Sequence, residues 1–174
     1  MSNREASERA VQYTAIRIWR ALRPEERLKA AAAIWEPGFA KPEEVAGALA
    51  AIANARRSRI QSIREAPKAK RAGYLAGMVV LPDGVAAALL YAYHMAHKIP
   101  MMRRFLELLE IEHEEGKITS EIDPPGEEKL ASCVDLLLAE FDGSEVAIYL
   151  QTLFNQDPET WAGLEAVIES RKLG

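Results

Sequence analysis

His94, His97 and His113 are the residues of this chain whose chemistry best suits a metal ion. His94 and His97 stand three apart, so a helix would place both imidazoles on one face. Neutral imidazole is a common ligand of zinc and iron. His113 follows among acids, beside Glu112, Glu114 and Glu115. His94, His97, His113 and Glu114 would supply the imidazoles and the carboxylate of a closed zinc or iron site. The spacing falls short of a signature. No HExxH occurs, and the ExxH of Glu110 and His113 stands alone where a di-iron bundle needs a second copy.

A purely structural reading competes and is preferred. His97 and Lys98 suit the negative end of a helix, His94 reads as a hydrogen-bonded core or boundary residue, and His113 as a surface one. The helix between the two histidine-bearing segments should run about twelve residues, on the order of 18 Å. If it lay antiparallel to its predecessor, His113 would sit far from His97, so a shared site needs the chain to fold back.

Anion chemistry comes next. Between 56 and 71 the bases Arg56, Arg57, Arg59, Arg64, Lys68, Lys70 and Arg71 face only Glu65. Between 107 and 145 acids dominate, with Lys117 and Lys129 as the bases. Arg56, Arg57, Arg59, Arg64, Lys68 and Arg71 are candidates for binding a partner or an anion such as nucleic acid. Apart from Tyr74, no aromatic residue lies beside them to stack on bases, and no Gly-rich phosphate loop occurs. A solvated face, or a basic edge paired with the acidic half or across a dimer, is the expected reading.

A cavity walled by Tyr91, Tyr93 and Met101, with His94, is a further possibility for a small ligand. Cys133 lies among Leu130, Val134 and Leu137 and reads as an inert buried thiol. Ser144 reads as a helix cap rather than an activated nucleophile. No carboxylate pair stands out as held in an apolar setting.

The elements that must position these groups are helices. Alternating runs of β-branched residues are absent and Ala is abundant, which predicts about nine helices and no sheet. Ser2 or Asn3 can cap the first, which carries Val11, Ile18 and Trp19 and stops before Pro24. The next run over 24–35, 42–65, 68–80 and 82–98. The sixth opens at Pro100, 112–126 is a loop, and helices follow over 127–141 and 145–155. The last is capped by Asp157 and begun by Pro158. Pro24, Pro42, Pro82 and Pro158 each open a helix with acids behind them. Proline has no N–H to leave orphaned there, and acids suit the positive end of the dipole. The helix over 82–98 is apolar nearly all round, so it should be buried on most sides. Val45, Ala46, Ala48 and Leu49 recur forty residues on as Val85, Ala86, Ala88 and Leu89, a period known from stacked helix pairs, but no third copy follows.

The 174 residues suffice for one domain with a real core, and 49% hydrophobic against 28% charged residues argues for a globular chain. The expectation is an all-α fold: a single domain over 1–174, a multi-helix bundle or short α-solenoid. With a net charge of −4, the molecule as a whole is not built to seek nucleic acid or anionic membrane. One cysteine rules out a disulfide within the chain. The first residues lack the apolar core of a signal peptide, and no uncharged stretch approaches a membrane span. A cytoplasmic location is expected.

The leading functional expectation is a non-enzymatic interaction or adaptor module with a protein partner or self-association and no cofactor. A metal- or small-molecule-binding protein using the His94/His97 face stands second. Nucleic-acid binding through 56–71 stands third.

Overall fold

A computed structural model describes residues 13–174. The expected cap at Ser2 or Asn3, and Val11, lie outside the described residues. The fold is all-α, with ten helices among the described residues and one very small sheet. The helices group into two compact units: Ala15–His97, and Lys98–Gly174 together with Tyr13 and Thr14.

The first unit holds α1 (Ala15–Ala21), α2 (Pro24–Ala33), α3 (Pro42–Arg56), α4 (Ile60–Glu65), α5 (Lys68–Ala76) and α6 (Asp83–His97). α6 is its axis, packing against α1, α2 and α3. It buries Val85, Ala86, Ala88, Leu89, Leu90, Ala92, Tyr93 and His94. Pro24 and Pro42 stand at helix starts as their chemistry dictates. The backbone N–H of Lys41, before α3, donates to the Glu44 carboxylate at 2.7 Å. α1 is held from afar. Its Ile16 N–H donates to Asp83 Oδ1 at 3.0 Å, and the fully buried Trp19 donates its indole N–H to the Met78 carbonyl at 2.8 Å.

One predicted helix is broken. The run expected over 42–65 ends at Arg57, whose φ of 51° and ψ of 41° are left-handed. The Ser58 N–H then turns back to the Ala53 carbonyl at 2.9 Å, a bond that closes a helix C-terminus. Repulsion between Arg56 and Arg59, which a continued helix would stack three apart, favours the break. The helix expected over 68–80 likewise stops early, at Gly77.

The second unit holds α7 (Ile99–Leu108), α8 (Glu127–Glu140), α9 (Gly143–Gln156) and α10 (Gly163–Ser170). Phe105 is fully buried between Tyr149 and Trp161, with ring centroids 5.7 and 6.0 Å away. Asp142 caps α9 by accepting the N–H groups of Ser144 and Glu145 at 3.0 and 3.2 Å. The last helix begins at Gly163 rather than Pro158. Asp157 accepts the Thr160 N–H at 3.1 Å and so stabilises a turn ahead of that helix. A Cβ on Gly163 would meet Leu130 Cδ1 at 2.8 Å, so the start of α10 lies close against α8 and a larger residue there would make the Leu130 side chain shift.

The expectation of no sheet is corrected in the segment after α7. β1 (His113–Glu114) pairs antiparallel with β2 (Lys117–Ile118), His113 opposite Ile118 and Glu114 opposite Lys117. The connecting Glu115 and Gly116 have φ of 48° and 82°, the two positive values that a type I′ hairpin turn requires. A Cβ on Gly116 would lie 2.8 Å from Met102 Cβ, so the turn packs where only glycine fits.

Candidate functional site

The first unit contains a buried carboxylate. Glu26, in the first turn of α2, is only 5% exposed. Its Oε2 accepts the Tyr93 hydroxyl from α6, and its Oε1 accepts from Lys29 Nζ at 2.9 Å, with Arg23 at 3.8 Å. A buried carboxylate persists only when its oxygens are hydrogen-bonded and its charge is balanced, and these three residues do both. The Tyr93 ring meets His94 edge-on at 5.2 Å and His97 at 6.1 Å. His94 Nδ1 lies 2.8 Å from the Leu90 carbonyl. A carbonyl only accepts, so Nδ1 carries the proton. The cluster is a closed ion pair that ties α2 to α6.

The histidines therefore divide. His94 and His97 both follow Tyr93 on α6, the first buried and the second exposed. His113 and Glu114 lie on β1 of the other unit, where His113 Nδ1 accepts a long bond of 3.4 Å from Gly116 N–H. Within neither unit do three or more described His, Cys, Asp or Glu side chains gather closely enough to hold a metal ion. Of the expected cavity walls, Tyr93 is engaged with Glu26, Tyr91 is half-buried on α6, and Met101 is buried in the second unit. Cys133 is buried too, and burial pushes its thiol pKa up.

The basic stretch sorts into two kinds of cation. Arg56 lies 3.9 Å over the Tyr74 ring, with Lys70 6.0 Å from it, and Arg71 lies 4.5 Å over Trp35. Lys68 pairs with Glu36 at 3.2 Å. The Arg56, Arg71 and Lys68 contacts hold α5 against α3 and the end of α2, while Lys70 and Tyr74 lie on α5 itself; each cation–π contact contributes about 0.5–1 kcal/mol. Arg57, Arg59 and Arg64 are exposed and have no ion pair among the described residues.

Beside this edge the first unit opens a pocket of about 480 Å³. Trp35 and Pro37 from the end of α2, Val45 and Leu49 from α3, Arg64 from α4 and Arg71 from α5 line it. The Trp35 Nε1 and Arg71 Nε donors are buried and hydrogen-bonded to nothing in the described protein. Burying such a donor unsatisfied costs about 1–3 kcal/mol. A pocket of about 330 Å³ in the second unit makes a useful contrast. Its Arg104 is bidentate on Glu140 at 2.8–3.0 Å and its Arg103 lies 3.8 Å from both Glu107 and Glu115. Those arginines are answered by carboxylates inside the protein; Arg64 and Arg71 beside Trp35 have no such ion pair among the described residues.

Trp35 and Glu26 are the residues that the sequence hid. Trp35 reads there as an ordinary helix-face residue ahead of Pro37 and Gly38, with only its position at a helix end as a signal. Glu26 reads as one more first-turn acid. No known protein family matches the chain, and no curated protein or solved structure is significantly similar to it.

Proposed function

We propose that this chain is a non-enzymatic helical interaction module of the cytoplasm that engages an acidic protein partner through Arg57, Arg59 and Arg64. One observation carries the reading. These guanidinium groups are exposed and without an ion pair among the described residues, whereas Arg104 and Arg171 are each bidentate on a carboxylate. Unanswered, exposed charge of one sign steers and orients a complementary partner. The neighbouring aromatic faces favour a protein over a nucleic acid, since Tyr74 and Trp35 are already covered by cations of the chain itself and cannot serve as stacking platforms. A lone cysteine, buried and free, suits a reducing compartment. No helix among the described residues is long and apolar enough to cross a membrane.

The test compares proteins captured by the tagged wild-type chain and by the Arg57→Glu, Arg59→Glu, Arg64→Glu triple variant, quantified by mass spectrometry at matched melting temperature. An acidic protein bound by the wild type should weaken about tenfold or more in the variant. Equal capture by both, or salt-sensitive retention of nucleic acid alone, would sink the reading.

A further inference from the structure

We infer that the pocket beside Trp35 and Arg71 receives one large apolar side chain, flanked by carboxylates, from an acidic peptide segment of that partner. The inference rests on the acidic-partner reading and adds the anchor residue and the place where it docks.

The pocket asks for two kinds of chemistry at once. Its walls at Trp35, Pro37, Val45 and Leu49 are apolar, and apolar surface gains by excluding water. Its volume of about 480 Å³ lies inside the range of ligand sites. Arg64 and Arg71 add positive charge at the same place. The guanidinium carbon of Arg71 lies over the Trp35 ring, at 4.5 Å. A stacked guanidinium keeps its edge for a carboxylate, since its N–H donors lie in the plane of the group. The unsatisfied donors Trp35 Nε1 and Arg71 Nε belong to lining residues as well. The start of α3, where Pro42 and Val45 line the pocket, adds the positive end of a helix.

The nearby acids do not cancel this field in full. Glu36 lines the pocket but is paired with Lys68 at 3.2 Å, and Glu44 of the first turn of α3, which accepts the Lys41 N–H at 2.7 Å, is not a lining residue. Glu43 is the remaining exposed acid of that turn.

A peptide fits better than a compact acid because the cations continue past the pocket. Arg64 lines it, Arg59 precedes the first residue of the same helix, and Arg57 stands two residues earlier. A compact carboxylic acid in the pocket would meet only Arg64 and Arg71. A segment with an apolar anchor and acids on either side can meet these and the open edge beyond.

The experiment measures fluorescence anisotropy with two labelled glutamate-rich peptides of equal charge, one with a central leucine and one with a central glycine. The leucine peptide should bind the wild-type chain about tenfold tighter. Ala46 is an exposed residue of the pocket wall, so Ala46→Leu fills the pocket from within and keeps a good helix former. That variant should lose the leucine advantage and keep the glycine peptide's affinity, at an unchanged melting temperature. Equal affinity for both peptides overturns the inference, as does a leucine advantage that survives Ala46→Leu. Octanoate competing as well as the leucine peptide would make this a small-acid site instead and also overturn it. If both peptides bind equally and the Arg57→Glu, Arg59→Glu, Arg64→Glu variant binds neither, the pocket inference falls and the acidic-partner reading stands. If neither peptide binds the wild type, both fall.

Discussion

At the scale of single residues, Glu26 is the buried carboxylate of the first unit among the described residues. Its carboxylate sits in the interior because Tyr93, Lys29 and Arg23 answer it. Tyr93→Phe leaves the packing nearly intact and removes one donor from a buried charge. It should destabilise the chain by about 1–3 kcal/mol, read as a shift in urea midpoint. A change under about 0.5 kcal/mol would mean that the phenol is not what keeps the carboxylate inside. Cys133 makes a second residue-scale prediction. Burial raises its pKa, so at neutral pH it is a shielded thiol rather than a thiolate. A thiol reagent such as DTNB should label it slowly in the folded chain and fast in urea, and fast labelling of the folded chain would contradict the burial. The burial of Cys133 was legible from its apolar neighbours. Glu26 was not, because a first-turn acid has the same local grammar whether it faces water or a tyrosine sixty-seven residues away.

At the scale of elements, the break at Arg57 shapes the basic edge. A continuous helix would stack Arg56 and Arg59 on one face; the left-handed residue instead starts α4 in a new direction, with Arg59 at its N-terminal cap. A non-glycine residue in that conformation costs about 1 kcal/mol. Arg57→Gly should therefore stabilise the first unit by about that amount while weakening the proposed acidic partner, two opposite readouts from one substitution. Destabilisation instead would show that the side chain contributes more than its backbone conformation costs. Helix starts were readable because proline and acids announce them locally. This helix end was not, since no Gly or Pro marks Arg57. The hairpin after α7 escaped notice for a related reason. Each strand has only two residues, too few for any alternation to show, and Gly116 was the one visible sign.

At the scale of the whole molecule, charge is organised differently in the two units. In the second, hydrogen bonds from Arg104, Lys129 and Arg171 hold Glu140, Glu110 and Asp135 below the usual carboxylate range. A depressed pKa in the folded state contributes stability that is complete above the ordinary value of about 4. That stability is lost as the pH falls through the lowered values. Melting temperature should thus decline on acidification from about pH 5 downward, and Arg104→Ala should make the decline shallower. A variant whose acid limb matches the wild type would show that the Arg104–Glu140 pair contributes nothing to it. The division into two units left no mark in the sequence. α6 ends at His97 and α7 begins at Ile99, so no linker of distinctive composition separates them, and the Pro100 corner resembles any other helix start. The all-α class was legible throughout because helical periodicity is local. The Trp35 pocket was not, because α2, α3, α4 and α5 must all come together to form it.

The anchoring of α1 has a consequence for timing. Seven residues are too few for a helix to persist alone in water. The bonds that hold α1 come from Met78 and Asp83, 59 and 67 residues further along. On a ribosome the segment that becomes α1 emerges first and must wait, unstructured and with Ile18 and Trp19 uncovered, until α6 begins to appear. The earliest part of this unit to be made is among the last that can fold, and a nascent chain halted before Met78 would carry a tryptophan whose indole N–H lacks the carbonyl that receives it.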